Sequence, residues 1–263
     1  MMVDTFSENS LQSALGARPF RFYDVVQSTQ DLAREWAVAE PELASGAVVI
    51  ADHQEGGRGR QGRAWLSEPG SSVMCSVVLR PQLAPDLLPH LTIAGGLAVA
   101  ETLARWLPQG VAIKWPNDVL VHGRKISGVL AEATWLGDDL AAMVLGIGIN
   151  IRNDFANTPL AGQATSLEIE LGQPVARHDV LAHLLASVDH WAAQVGTASL
   201  LAAWRNWLGT LGKRVTVYVQ ATPESFSGIA ESVDERGALC VRLDSGELRC
   251  VLAADVGLRE TVD

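Results

Sequence analysis

The sequence predicts an α/β (α+β) domain, a mixed sheet flanked by helices, followed by a small β-barrel. Three observations carry this. Up to about residue 210, apolar runs of strand length alternate with stretches of helical spacing such as Leu32, Ala33, Trp36 and Ala37. From about Leu211 the texture changes to short β-runs separated by turn signals, Asp234–Gly237 and Asp244–Gly246 among them. A chain of 263 residues, 48% hydrophobic and 19% charged, has room for one large and one small globular domain.

In order, residues 1–18 are polar and without a clear period, so a flexible N-terminal arm is expected. Phe20–Val26 reads as a strand. Ser28-Thr29-Gln30-Asp31 matches a capping box that opens a helix, with Ser28 as N-cap and Asp31 at the third helical position. Ala47–Ala51 and Ser72–Leu79 are strands on either side of a glycine-rich loop. Leu87–Leu107 is a long alanine-rich helix. Val111–Trp115 is a short strand, and Val119–Val121 and Lys125–Glu132 bracket a tight turn at His122-Gly123. Ala141–Ile151 is a strand; Asp179–Val195 and Leu200–Leu208 are helices with Trp191, Trp204 and Trp207 turned to the core. These boundaries give an arm over 1–18, a large α/β domain over 19–210, which the resemblance given below makes the catalytic one, and a β domain over 211–263, in which Val215–Val219, Ser225–Val233, Leu239–Leu243 and Glu247–Leu252 are strands.

A net charge of −10 and a pI near 5.0 argue against a general nucleic-acid or anionic-membrane binder, because phosphate contacts dominate such binding. No long uninterrupted apolar run and no basic leader with an apolar core is visible, so a soluble, cytoplasmic protein is expected. Nothing before Phe20 is long enough for a helix-turn-helix domain. The three cysteines lack metal-ligand spacing. Cys75 reads as a buried small hydrophobe; Cys240 and Cys250 fall on neighbouring strands, where a reducing compartment would leave them as thiols.

Against this acidic background the positive charge is local. Gln54–Trp65, Q-E-G-G-R-G-R-Q-G-R-A-W, combines glycines that let the backbone approach a ligand with Arg58, Arg60 and Arg63, whose guanidinium forks suit phosphate or carboxylate oxygens. Alone, this loop could equally be an Arg/Gly linker or an RNA-binding segment. Lys114-Trp115-Pro116-Asn117-Asp118 packs a cation, an amide and an acid at a strand end, where Pro116 forces Trp115 extended. Lys125 follows across the hairpin, placed to meet a ligand together with Asp118; by itself the pair could be an ordinary cross-strand ion pair. Ser28 and Thr29 could merely cap a helix, or the helix N-terminus could meet a polar ligand.

Four segments occur in order: S-T-Q at 28–30, the Gly/Arg loop at 54–65, K-W-P-N-D…G-R-K-I-S-G at 114–128 and G-I-G-I-N at 146–150. Together they resemble the biotin protein ligases, or biotin–[acetyl-CoA-carboxylase] ligases, in the shorter class without an N-terminal DNA-binding domain. The resemblance spans roughly residues 20–260 and implies an SH3-like C-terminal barrel. It further implies an AMP-forming reaction in which ATP and biotin give biotinyl-5′-AMP, with Mg²⁺ neutralising the pyrophosphate. A lysine of a biotin carboxyl carrier protein is the acceptor, and the enzyme is a monomer or homodimer that binds neither nucleic acid nor membrane.

By the same resemblance, Ser28, Thr29, Gln30, Gln54, Arg58, Gly59, Arg60, Lys125 and Gly128 contact biotin or its acyl phosphate. Arg58, Arg60, Arg63, Trp65, Lys114, Asn117, Lys125 and Asn150 face ATP or the adenylate, with Trp65 against adenine and Asn150 at its edge. Lys125 and Arg60 are the catalytic cations, and Asp118 is the candidate base or orienter for the acceptor lysine. Two positions depart from the family: Gln30 stands for the usual Asn, and Gln61 for an arginine. Backbone entropy of about 1–2 kcal/mol per residue exceeds what a few charge-assisted bonds return, so the free loop is expected to be mobile and ordered by ligand. A lipoate or octanoate ligase, and a non-catalytic nucleotide-binding regulator, are the alternatives.

Overall fold

The computed structural model describes residues 6–219, 224–252 and 254–258. Its larger sheet has seven strands in the order β1-β2-β3-β7-β6-β5-β4. These are β1 Phe20–Val26, β2 Val48–Gln54, β3 Ser72–Leu79, β4 Val111–Lys114, β5 Asp118–Val121, β6 Arg124–Leu136 and β7 Asp139–Asn150. Only β1 and β2 run parallel, as a crossover through α2 (Thr29–Ala39) requires; every other neighbouring pair is antiparallel.

Side-chain alternation gives the sheet two different faces. On one, Val48 and Ile50 of β2, Val73, Cys75 and Val77 of β3, and Leu145, Ile147 and Ile149 of β7 join the main core. That face is covered by α3 (His90–Ala104), behind which lie α5 (Arg177–Ala192) and α6 (Ala198–Trp207). The span Pro85–Ala104 is long and apolar enough to cross a membrane, but here it is the central core helix, with Leu97, Ala98, Val99 and Leu103 fully buried. On the other face α2 packs through Ala33, Trp36 and Ala37 against Val49, Val78, Ala142 and Val144. This second core stops short of the N-terminal end of α2, where the same face carries Ser76, Gly146 and Gly148. The opening at that place is the site.

The second sheet contains β8 (Arg214–Val219), β9 (Ser225–Val233), β10 (Leu239–Leu243), β11 (Leu248–Val251) and β12 (Ala254–Leu258), in the order β11-β10-β9-β8-β12, all antiparallel. It forms the small SH3-like domain. Val215, Val217, Ala230, Leu239 and Val241 join the main core. Trp115, 1% exposed, donates its indole N–H to the Gly237 carbonyl at 2.9 Å, and its backbone N–H to Thr210 Oγ1 at 2.9 Å.

Four sequence expectations are corrected. The arm is not loose throughout: α1 (Glu8–Leu15) is closed by a Ser7–Ser10 capping box, and Phe6 and Leu11 are buried, which anchors it beside α5. The capping box expected at Ser28 does not close. Ser28 Oγ accepts from Gln30 N at 3.2 Å, while Asp31 is drawn away by arginines. Cys240 and Cys250 are directly opposed on β10 and β11, with Cα atoms 4.0 Å apart, and are joined as a disulfide instead of remaining thiols. Finally, α4 (Leu167–Leu171) and β12 are elements that hydrophobic period did not reveal. Both are five residues long, too short for a period to register.

Candidate active site

The floor of the site is a row of paired positions across the sheet: Lys114↔Asp118, Asp118↔Gly128, Gly128↔Gly148 and Gly148↔Met74. The two glycines in the middle leave room. A Cβ on Gly148 would stand 2.7 Å from the Trp65 indole, and one on Gly128 would crowd Lys125 and Trp65 at 3.3–3.4 Å. G-I-G-I-N thus reads as a strand whose isoleucines fill the core while its glycines clear the site face. Trp65 lies over this floor, with the Lys125 ammonium 5.9 Å from a ring centroid.

At one end, the N-terminus of α2 meets β2 and β3. Gln54 Oε1 accepts from Thr29 N at 2.7 Å and Thr29 Oγ1 at 3.0 Å; Thr29 Oγ1 in turn lies 2.9 Å from Ser76 Oγ. Ser28, Thr29 and Gln30 are all buried. Gln30 lies along the same face over Gly146, where its amide donates to the Val144 and Leu130 carbonyls and accepts from Ser76 Oγ at 3.0 Å. Its extra methylene relative to Asn is therefore used to brace the sheet and to orient Ser76. A Cβ at Gly146 would come within 2.4 Å of Gln30 Oε1, so this glycine makes the longer side chain possible.

At the other end, Lys125 Nζ pairs with Asp118 Oδ1 at 2.6 Å. Asn117 donates to the Val129 carbonyl and accepts from Arg60 Nη1 at 3.3 Å. Lys114 and Arg60 both have lowered pKa values, chiefly because partial burial disfavours their charged forms. An anion entering here would relieve that cost. Asn150 is 3% exposed; its Nδ2 donates to the Thr165 carbonyl, while Oδ1 has no hydrogen-bond partner.

The Gly/Arg loop forms the remaining wall. Gly59 and Arg63 close a turn, Arg58 and Ala64 form a β-bridge, and Trp65 N donates to the Gly57 carbonyl. Its arginines diverge. Arg58 grips Asp31 with two bonds of 2.7 Å, which holds that carboxyl below its ordinary range and raises the guanidinium's own pKa. Arg60 turns toward Asn117 and the Ala254 carbonyl, and Arg63 pairs with Asp255 at 2.6 Å in the small domain. Gln61, at φ 58°, and Gly62 form the exposed tip, so the charge missing at residue 61 is missing from a solvent-facing turn.

The structure thus brings Trp65, Lys114, Asn117, Asp118, Lys125 and Gly128 together, with Thr29 and Gln54 at the other end of the same floor. Arg58 and Arg63 stand at its rim, bound to acids. Ser76 bears on the site without having been singled out, and Gly146 and Gly148 were read only as part of G-I-G-I-N; strand alternation from Cys75 and Ile147 was the signal that could have placed all three on the site face. Among the described residues no group of three His, Cys, Asp or Glu side chains is placed to hold a metal.

Comparison with known proteins agrees with this geometry. Residues 22–150 match the model of the biotin/lipoate A/B protein ligase family, and residues 210–259 match the biotin protein ligase C terminal domain. The chain is 31% identical over 243 residues to the bifunctional ligase/repressor BirA of Bacillus subtilis, covering 90% of this chain and 73% of that protein. It is 35% identical over 216 residues to the biotin–[acetyl-CoA-carboxylase] ligase of Mycobacterium tuberculosis, covering 80% and 77%. The biotin protein ligase of Aquifex aeolicus, solved in complex with biotin and ATP, superposes with a TM-score of 0.76 at 28% identity, covering 92% of this chain and 98% of that one. On the two matched models in their order, and on relatives above 30% identity across most of their length, this chain belongs to the biotin/lipoate A/B protein ligase family, among its biotin protein ligases.

Proposed function

We propose that the protein activates biotin with ATP as biotinyl-5′-AMP and transfers biotin to a lysine of the biotin carboxyl carrier protein of a carboxylase such as acetyl-CoA carboxylase. The observation that carries this is the Lys125–Asp118 pair at the end of a glycine floor walled by the Gly/Arg loop. The match of the small domain to the biotin protein ligase C terminal domain favours biotin over lipoate or octanoate as the acid.

In the first step a biotin carboxylate oxygen attacks the α-phosphorus of ATP, and the bond to pyrophosphate breaks. Two anions must meet, so the site's task is to hold phosphate oxygens with oriented cations. Lys125, Lys114 and Arg60 stand at that end, and Arg58 is available when Asp31 releases it. The head of biotin lies toward Thr29, Gln54 and Ser76, a set of donors and acceptors already oriented by one another. Trp65 covers the floor and would flank the ligands, with Asn150 Oδ1 free to accept from an adenine amino group.

In the second step the acceptor amine attacks the acyl carbon, the bond to AMP breaks, and a proton leaves the nitrogen. Asp118 serves as base or orienter for that amine. Mg²⁺ would serve as the counter-ion of the nucleotide's phosphates; among the described residues no group of three His, Cys, Asp or Glu side chains could hold it. A net charge of −10 at neutral pH disfavours nucleic acid and suits a cytoplasmic protein that engages a carrier protein.

The test is AMP-forming exchange of pyrophosphate into ATP with biotin, lipoate and octanoate offered separately. Biotin alone should support it, and Lys125→Ala should lower the rate by about 10²-fold or more. Equal exchange with lipoate, or a Lys125→Ala variant as fast as the parent, would contradict the reading.

A further inference from the structure

Strand β7 ends at Asn150, so the start of β6 has no sheet neighbour on that side. A separate segment takes its place. Lys125 N donates to the Gln163 carbonyl at 2.8 Å, and Thr165 N donates to the Lys125 carbonyl at 2.9 Å, with Lys125 and Ala164 paired in parallel. The Thr165 carbonyl also accepts from Asn150 Nδ2 at 3.1 Å. One short strut therefore holds the backbone of Lys125 and the side chain of Asn150.

Glu170 on α4 holds the strut. Its side chain is 5% exposed, and Thr165 Oγ1 donates to Oε1 at 2.5 Å. The same oxygen accepts from Arg124 Nη2 at 2.8 Å, from the residue that precedes Lys125. Oε2 lies 3.1 Å from Nδ1 of His122 in the β5–β6 turn. A buried carboxylate is tolerable only when its oxygens are so occupied, and once occupied it fixes its donors in place.

We propose that Glu170 is a positioning residue for the nucleotide half of the reaction, acting through Arg124 on Lys125 and through Thr165 on Asn150. It rests on the roles proposed above for those two residues. Lys125 also faces the carboxylate of biotin, but the head of biotin is tied by the separate Thr29–Gln54–Ser76 network. Loss of Glu170 should consequently weigh on ATP far more than on biotin.

The test uses Glu170→Gln, which keeps volume and an acceptor, and Thr165→Val, which removes only the hydroxyl and carries the test should the first variant fold poorly. KM for ATP in biotin-dependent pyrophosphate exchange should rise about tenfold or more, as small displacements of positioned groups do. Biotin affinity, measured by calorimetry without ATP, should stay within about twofold of the parent. The double variant should be no worse than the more impaired single one, because both act through one strut. Biotin affinity falling in step with KM for ATP, or kinetics unchanged while the melting temperature drops, would overturn the role. Absence of exchange in the parent would instead overturn the ligase reading, and this role with it.

Discussion

At the scale of single residues, the site depends as much on atoms left out as on charges supplied. Gly148 is the clearest case. A methyl group there would stand 2.7 Å from the Trp65 ring, so Gly148→Ala should displace the indole. The expected result is exchange activity lowered by about tenfold or more, for a displacement of an ångström or so, with little change in melting temperature. Activity equal to the parent would show that Trp65 does not rest on the floor during turnover. Lys125 and Asp118 were legible in the sequence because K-W-P-N-D and R-K are chemically conspicuous. Ser76 and Glu170 were not, because a serine or a glutamate becomes part of a site only through the strand or helix that presents it. Gln30 shows the same limit: its substitution was visible, but its use in bracing Val144 and Leu130 was not.

At the scale of elements, the Gly/Arg loop is the segment that entropy predicts to be mobile until ligand orders it. Its contacts are a short β-bridge and arginines on Asp31, Asn117 and Asp255. Most of these bonds are exposed or half-exposed, so each adds little. Asp31→Asn should release Arg58 and speed tryptic cleavage at Arg58–Arg63 several-fold, with biotin and ATP together slowing it again. Cleavage unaffected by either the variant or the ligands would show that the loop is held by something else. The strands and long helices were read from apolar runs, helical spacing and turn or cap signals, with β1 and β3 at their observed limits. What period could not give was α1, fixed by a Ser7–Ser10 cap and the burial of Leu11, and α4, whose importance lies in one carboxylate. The disulfide follows from β10–β11 register, which a turn signal suggests but does not number.

At the scale of the whole molecule, two sheets share one core. Trp115 is the joint, its N–H on Gly237 of the small domain and its ring buried behind K-W-P-N-D. Trp115→Phe would leave the Gly237 carbonyl without that donor and a void beside it, a loss of about 1–3 kcal/mol. Urea denaturation should show the midpoint lowered in one transition that both sheets share. Two separate transitions in the parent would contradict a common core. The sharing also places the small domain where Asp255 and Ala254 meet the Gly/Arg loop, so the barrel closes the site from the side opposite α2.

The full reaction is read in a single assay, in which the protein is incubated with labelled biotin, ATP, Mg²⁺ and an apo biotin carboxyl carrier domain. ATP-dependent labelling of a single carrier lysine is expected, with AMP released and with Lys125→Ala slower by about 10²-fold or more. No transfer to the carrier, transfer that proceeds without ATP, or a Lys125→Ala variant as fast as the parent would contradict it.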